Sequence, residues 1–291
     1  MNKKKENIAG WVFMAPALII FLGLVFIPVI SSFILSFTKW NFLSGFSGIE
    51  FVGLDNFVKL FTRDRKFKKA LVNTVVYALT IVPITVVLSL FLAYMLNTKV
   101  FVKKFFRMCF FIPYISSMVA LSAVFKFLFR SEGPINAVLK GVFGMDPAPS
   151  WITDPALCRI PVICVMIYAG IGFCLIVYMA ALQAVPSELY EAARIDGANE
   201  RTCFFKITVP MISATTFYLL VVRMIASFKI FTAVNIMDFG GNSASVVQLV
   251  YEEAFGKYNF GYASASSWVL VAIILVVTLF QMWGQKKWVH Y

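Results

Sequence analysis

The chain has 291 residues, 60% of them hydrophobic and only 14% charged, with a mean hydropathy of +0.84. A soluble fold of this length must still cover its surface with polar groups, so this composition excludes a soluble enzyme, a disordered chain and a secreted disulfide scaffold. The net charge of +12 would suggest nucleic acid in a soluble chain, but in a membrane chain it is the ordinary excess of Lys and Arg on cytoplasmic loops, and no nucleic-acid partner is expected.

Taken in chain order, the longest charge-free runs are residues 7–38, 70–98, 108–125, 160–187, 207–222 and 258–285. A helix crossing the hydrocarbon core needs about 20 apolar residues. The first, second, fourth and sixth runs exceed this. The third reaches it when Lys126 snorkels and Phe125, Phe127, Leu128 and Phe129 extend it. The fifth crosses from Ile207 to Thr232 only if Arg223 is tolerated inside. Six spans are expected, hence an all-α membrane protein in one transmembrane domain covering 1–291. The first run follows Lys3, Lys4 and Lys5 as a secretory signal would, but it is too long for one, with no small-residue cleavage site close behind. It is read as an uncleaved span. Trp11, Trp40, Trp268 and Trp283 stand near span ends, as interfacial aromatics do.

With six spans both termini share a side. The terminal segments with 97–108 and 183–209 carry Lys and Arg more densely than 38–69, 129–159 and 233–262, which places both termini in the cytoplasm. The run Arg63-Asp64-Arg65-Lys66 with Lys68 and Lys69 is the main exception.

No nucleotide-cradling glycine–lysine loop is present, and the single histidine is His290. The five cysteines (Cys109, Cys158, Cys164, Cys174 and Cys203) show no Cys-x-x-Cys pair and read as buried, inert thiols. A zinc site or a histidine-based triad has no residues to draw on, so no catalytic residue, metal or cofactor is assigned. The six runs hold no carboxylate, which disfavours a proton-coupled carrier; the charges placed inside or at the rim are Lys126, Arg223 and Lys229.

The segment from Val185 to Asn199, between spans four and five, is the most informative. Pro186 ends the preceding helix. Ser187 is a capping residue, and Glu188 and Glu191 suit a positive helix start. Leu189, Ala192 and Ala193 share one face, and Gly197 supplies a left-handed stop. A second short helix is expected from Asn199 to Val209, before Pro210. Ala192 and Ala193 form a low-relief knob able to enter a partner's groove. By shape alone the segment reads equally well as a plain connecting loop.

Glu191-Ala192-Ala193, then Gly197, Ile207, Val209 and Pro210 at the spacing E-A-A-x3-G-x9-I-x-L-P, resembles the EAA loop of binding-protein-dependent ABC importer permeases; only Val209 departs, standing where the pattern has Leu. Phe51 to Phe57 with Leu60-Phe61, Asn73-Thr74 opening span two, Gly133 to Asn136, Ala254-Phe255 and Phe260 to Ala265 are similar to the carbohydrate branch, of maltose and glycerol-phosphate type. The family's Gly-Gly-Gly-Pro after span five is here Gly240-Gly241-Asn242-Ser243.

The resemblance implies a prokaryotic cell-membrane permease that forms half of a carbohydrate pathway. Its partners would be a second homologous permease subunit, two ATP-binding subunits, an extracytoplasmic solute-binding protein and membrane lipid. Within residues 183–210, Glu191, Ala192, Ala193, Arg194, Asp196 and Gly197 would form the ATPase-coupling helix, with Glu191 as polar anchor and Gly197 as the obligatory turn. Asn73, Tyr114, Ser117, Tyr168, Arg223 and Asn235 are the candidate solute-pathway groups, each also readable as a helix-bridging polar residue. Arg223 is the strongest, because a mid-span charge needs a wet cavity or a partner, and it keeps open a glycerol-phosphate-type solute. An autonomous secondary carrier is the competing class; it would have no use for the Glu191-to-Pro210 loop.

Overall fold

The computed structural model describes residues 3–98, 103–238 and 240–286; His290 lies outside them. Four helices are long and apolar enough to cross a membrane: α1 (Gly10–Leu35), α3 (Arg65–Asn97), α7 (Arg159–Gln183) and α13 (Phe260–Gln285). Among the described residues two helix pairs pass the same test together but are bent: α4 (Lys104–Ile115) with α5 (Met118–Leu128) at 98°, and α9 (Glu200–Met211) with α10 (Ser213–Phe228) at 64°. Six spans are thus present when each pair is taken as one. The two bent spans are those with the shortest charge-free runs. Each break has a proline within about a turn of it, Pro113 and Pro210, where the helix ladder lacks an N–H. Ser117 is extended at the first break.

The chain forms two compact units, residues 1–67 with 249–271, and residues 68–248 with 272–291. In the first, the apolar window of α1 is wholly unburied within the chain, as a helix apolar all round is when lipid surrounds it. A two-stranded antiparallel sheet follows, β1 (Thr38–Lys39) with β2 (Glu50–Phe51), Thr38 opposite Phe51. The next helix, α2 (Asp55–Thr62), buries Asn56, whose Nδ2 donates to the Ser36 and Thr38 carbonyls at 3.0 and 2.8 Å. Trp40 is not interfacial: it is 8% exposed, ringed by Phe42, Phe46 and Phe260, and its Nε1 donates to the Gly45 carbonyl at 2.9 Å. Gly261 lets the start of α13 press on the Thr38 carbonyl. Glu253 accepts from Lys257, which holds the lysine above its ordinary value, and Asp64 accepts from the Tyr262 hydroxyl.

The basic run is not a loop throughout; most of it opens a helix. Asp64 Oδ1 accepts from the amides of Lys66 and Phe67 at 2.7 and 3.0 Å, so α3 starts at Arg65, two turns before Asn73.

The second unit is built on α3 and α7. One core joins Val82, Val86, Ala93 and Leu96 of α3 to Cys174, Leu175, Tyr178, Met179 and Leu182 of α7, with Ile212 and Leu219. Another joins Tyr77 and Ile81 to Val162, Val165 and α11 (Thr232–Met237). Between α5 and α7, α6 (Pro134–Phe143) is held by Asn136, which donates to the carbonyls of Ser131 and Pro149 and accepts from Trp151 Nε1. The last element of this connection pattern, α12 (Val246–Tyr251), follows the turn after α11. Cys158, Cys174 and Cys203 are buried and Cys164 is half-buried, whereas Cys109 is exposed on α4. Burial pushes the Cys158 thiol up, which keeps it protonated and unreactive.

Candidate functional site

The connection between α7 and α10 is a helical hairpin. Its first arm, α8 (Ser187–Ile195), follows Pro186, whose extended backbone breaks the chain direction. Ser187 is not the cap: Pro186 holds that position without a side-chain bond, and Ser187 lies in the first helical turn. Gly197 ends the helix at φ +80°; its amide donates to the Arg194 carbonyl at 3.0 Å and that of Ala198 to the Ala193 carbonyl at 2.8 Å. This pair of bonds is the glycine-terminated helix stop. Two residues on, Asn199 Oδ1 accepts from the Thr202 amide at 2.9 Å and starts α9. That helix does not end at Val209. A wide turn, Phe204–Thr208, precedes Pro210 and lets the helix pass the missing N–H and reach Met211.

The hairpin has two unlike faces. Ser187, Tyr190, Glu191 and Arg194, at helical spacing, line a cavity of about 700 Å³ with Tyr94 and Asn97 of α3, Leu182, Asn199, Glu200 and Cys203. Tyr190 and Thr208 share a 2.9 Å hydroxyl contact that pins this face. The opposite face presents Leu189, Ala192, Ile195 and Asp196; Ile195 is 87% exposed, and Ala193 is half-buried. Glu191 lines its own chain's cavity while staying exposed, and the other side of the helix mixes the apolar Leu189, Ala192 and Ile195 with the acidic Glu188 and Asp196.

A second cavity, of about 280 Å³, lies at the bend between α4 and α5. Tyr114, Ser116 and Met118 line it from the bend, Gly170 from α7, and Arg223, Lys229, Phe231 and Thr232 from α10 and α11. Arg223 is 9% exposed and its Nε is buried without a hydrogen-bond partner. Gly170 makes room for it: a Cβ there would stand 2.2 Å from Arg223 Nη2. Of the predicted pathway residues, this cavity gathers Tyr114 and Arg223. Ser117 is exposed beside it at the bend, Tyr168 lies half-open on α7 with its ring against Phe125, and Asn235 is exposed on α11.

Asn73 lies elsewhere, in a latch. Its Nδ2 donates to the carbonyls of Asn242 and Ala244, both at 2.9 Å, and its Oδ1 accepts from Arg159 Nε at 2.7 Å. Tyr77 donates to the Ser243 carbonyl, and Thr74 accepts from the Val246 amide. The departing turn Gly240 to Ser243 is thereby clamped onto α3. Both its glycines have φ +74°, and Asp238 accepts from the amides of Gly241 and Ser243.

Sequence reasoning missed the partner of Lys126. Its Nζ donates to the Ile236 carbonyl at 2.6 Å, a cation on the carbonyl end of α11. No local signal could pair residues 110 positions apart. Among the described residues no group of three or more His, Cys, Asp or Glu could hold a metal ion.

Residues 85–287 match the family described as "Binding-protein-dependent transport system inner membrane component". The chain is 34% identical to the "Probable ABC transporter permease protein YesP" of Bacillus subtilis (strain 168), over 99% of this chain and 94% of that protein. It is 30% identical to the "Lactose transport system permease protein LacF" of Rhizobium radiobacter, over 98% and 96%. A chain of the bacterial alginate ABC transporter, solved in complex with an alginate pentasaccharide-bound periplasmic protein, superposes with a TM-score of 0.82 at 25% identity, over 97% of this chain and 96% of that one.

Proposed function

Since the chain belongs to the family of binding-protein-dependent transport system inner membrane components, and so is a multi-pass membrane protein, we propose that it is the carbohydrate-permease subunit of an ATP-driven importer. It forms half of the solute path with a second, homologous permease. The relatives named for lactose, multiple-sugar and arabinooligosaccharide transport support the carbohydrate class. The solved alginate transporter with its loaded periplasmic protein supports delivery by an extracytoplasmic receptor.

The observation that carries this reading is the two-faced hairpin. A nine-residue helix pinned to its own chain through Tyr190 and stopped by Gly197 leaves Ile195 87% exposed, with Leu189 and Ala192 also exposed among the described residues. An isolated apolar ridge of this size is a docking surface rather than a fold element. In this assignment Ala192 and Ile195 enter a groove on one of two ATP-binding subunits, Gly197 holds the ridge at its angle, and Ala193, Glu191, Arg194 and Asp196 set the ridge's orientation and rim. The hairpin faces the cytoplasm, as do both termini.

Closure of the two ATP-binding subunits around nucleotide then moves both hairpins as rigid bodies. The span bundle follows because α7 and α9 are continuous with the hairpin through packed cores. The energy comes from the difference in nucleotide affinity between open and closed engine states. Solute passes along the cavity at the α4–α5 bend, where Tyr114 and Arg223 stand, with Ser117, Tyr168 and Asn235 along the exposed approach. Asn73 acts at a distance, by holding the 240–246 turn.

The test is affinity purification of the tagged chain from its native membrane, followed by reconstitution. A nucleotide-binding chain and a second six-span chain should accompany it, and saccharide uptake should require ATP and the receptor. Uptake sustained by an ion gradient without ATP would assign it to the secondary carriers instead.

A further inference from the structure

A guanidinium inside a membrane span is unfavourable unless water, a counter-charge or a ligand meets it. Arg223 is nine-tenths buried, and its Nε has no hydrogen-bond partner among the described residues. Among the described residues no Asp or Glu lines the cavity it borders, and Lys229 adds a second positive charge there. The position is built for the cation rather than left over from packing. Gly170 has no side chain where a Cβ would meet Nη2 at 2.2 Å and Cζ at 2.8 Å, so two helices are shaped around the guanidinium. The neighbouring wall is aromatic, with Tyr114 and Phe231, and ring faces of this kind receive the apolar face of a sugar.

We infer that this cavity receives an anionic group, and that the solute is a saccharide bearing a carboxylate or a phosphate; this rests on the saccharide-importer reading. The guanidinium of Arg carries a fork of paired N–H donors that match the two oxygens of a carboxylate or of a phosphate monoester. Lys229 raises the local concentration of anions at the same cavity. A neutral sugar leaves the fork unsatisfied in the occupied state, and an unmet buried charge in a polar site discriminates strongly. A single fork, with no second guanidinium lining the cavity, also suits passage, since a solute bound there must leave again.

The experiment uses the whole importer complex in lipid nanodiscs, without receptor, as wild type, Arg223→Gln and Gly170→Ala. Each is titrated with trigalacturonate, with galactotriose as its neutral counterpart, and with glucose 6-phosphate. The wild type binds at least one anionic probe about tenfold more tightly than galactotriose, and the probe that binds identifies carboxylate or phosphate. Arg223→Gln removes that preference while galactotriose binding is kept. Gly170→Ala, which displaces the guanidinium but keeps its charge, weakens the preference.

Equal binding of charged and neutral probes by the wild type, or a preference that survives Arg223→Gln, overturns the inference and leaves the saccharide reading standing. Failure of Arg223→Gln to assemble, beside a wild type indifferent to probe charge, overturns it in favour of a carboxylate on the second permease. An ATP-hydrolysing complex that binds none of the probes and imports no saccharide overturns both.

Discussion

Arg159 donates from Nε to Asn73 Oδ1 at 2.7 Å, tying the first turn of α7 to the third turn of α3 across 86 positions. The amide is nearly saturated, because its two N–H groups go to the carbonyls of Asn242 and Ala244. Removing it strands a guanidinium and two carbonyls together. Asn73→Ala should destabilise the detergent-solubilised protein by about 2–4 kcal/mol, seen as a lower thermal midpoint. Asn73→Asp should not restore it, since a carboxylate cannot donate to two carbonyls. A midpoint unchanged in both variants would remove the latch.

Gly197 has open space where a Cβ would stand, so what opposes a side chain there is its φ of +80° alone. Gly197→Ala should strain the turn by about 1–2 kcal/mol. Gly197→Asn, which visits this region more readily, should cost less. Gly197→Asp adds a negative charge at a carbonyl-bearing helix end. In reconstituted vesicles the expected result is a folded chain whose complex hydrolyses ATP while importing little. Undiminished uptake by Gly197→Asp would refute the hairpin's role in coupling.

The two faces of α8 make opposite predictions. Ile195 is exposed, so Ile195→Asp should leave the thermal midpoint of this chain unchanged while weakening co-purification of the ATP-binding subunit by about tenfold or more, as loss of a central apolar contact does. Tyr190→Phe, which removes the contact with Thr208, should lower the midpoint first and affect assembly only secondarily. The reverse pattern would mean that the outward face has been misassigned.

Gly172 meets backbone first: a Cβ there would stand 2.5 Å from the Phe110 carbonyl oxygen, and 3.1 Å from both the Phe111 Cα and the Tyr114 Cβ. Small residues let membrane helices approach this closely. Gly172→Ala should push α4 from α7 and cost about 1–3 kcal/mol, while Gly141→Ala, facing open space, should be near neutral. Thermal midpoints of the two variants check this directly.

The pair Lys257–Glu253 sets a pH limit in the first unit. The hydrogen bond lifts Lys257 above its ordinary 10.5. A lysine raised on folding contributes stability that is fully present below its unfolded value and lost as pH rises through the folded one. Neutral pH should therefore show no change from this pair, and loosening should come only in alkali above about 10.5. Lys257→Met should flatten that alkaline loss in a thermal-midpoint titration, modestly, because the side chain is more than half exposed.

Much of the site was legible from residue order. The Gly197 stop and the Asn199 start are short-range features, each dependent on neighbours within one or two turns, whereas of the expected apolar face Ala193 is half-buried and the most exposed residue, Ile195, was not singled out. The wide turn before Pro210 was not legible, because whether a proline ends a helix or is passed depends on how the ladder relaxes around it. That Glu191 lines a cavity together with Tyr94 and Asn97 of α3 was not legible either, because it depends on how two helices far apart in sequence are placed.

Residue order alone determined where the membrane spans lie, which two of them are weakest, and the family of the chain. Partition into lipid is a sum over consecutive residues, so charge-free runs carry it without any knowledge of neighbours. Tertiary structure alone decided which polar groups are latched and which are bare. Asn73 and Lys126 found partners far along the chain, Trp40 found a core, and Arg223 found a glycine-shaped recess beside a cavity. Those outcomes depend on the rotation and proximity of whole helices, which hydrophobic runs leave unspecified because an apolar helix dissolves in lipid equally well at any rotation about its axis.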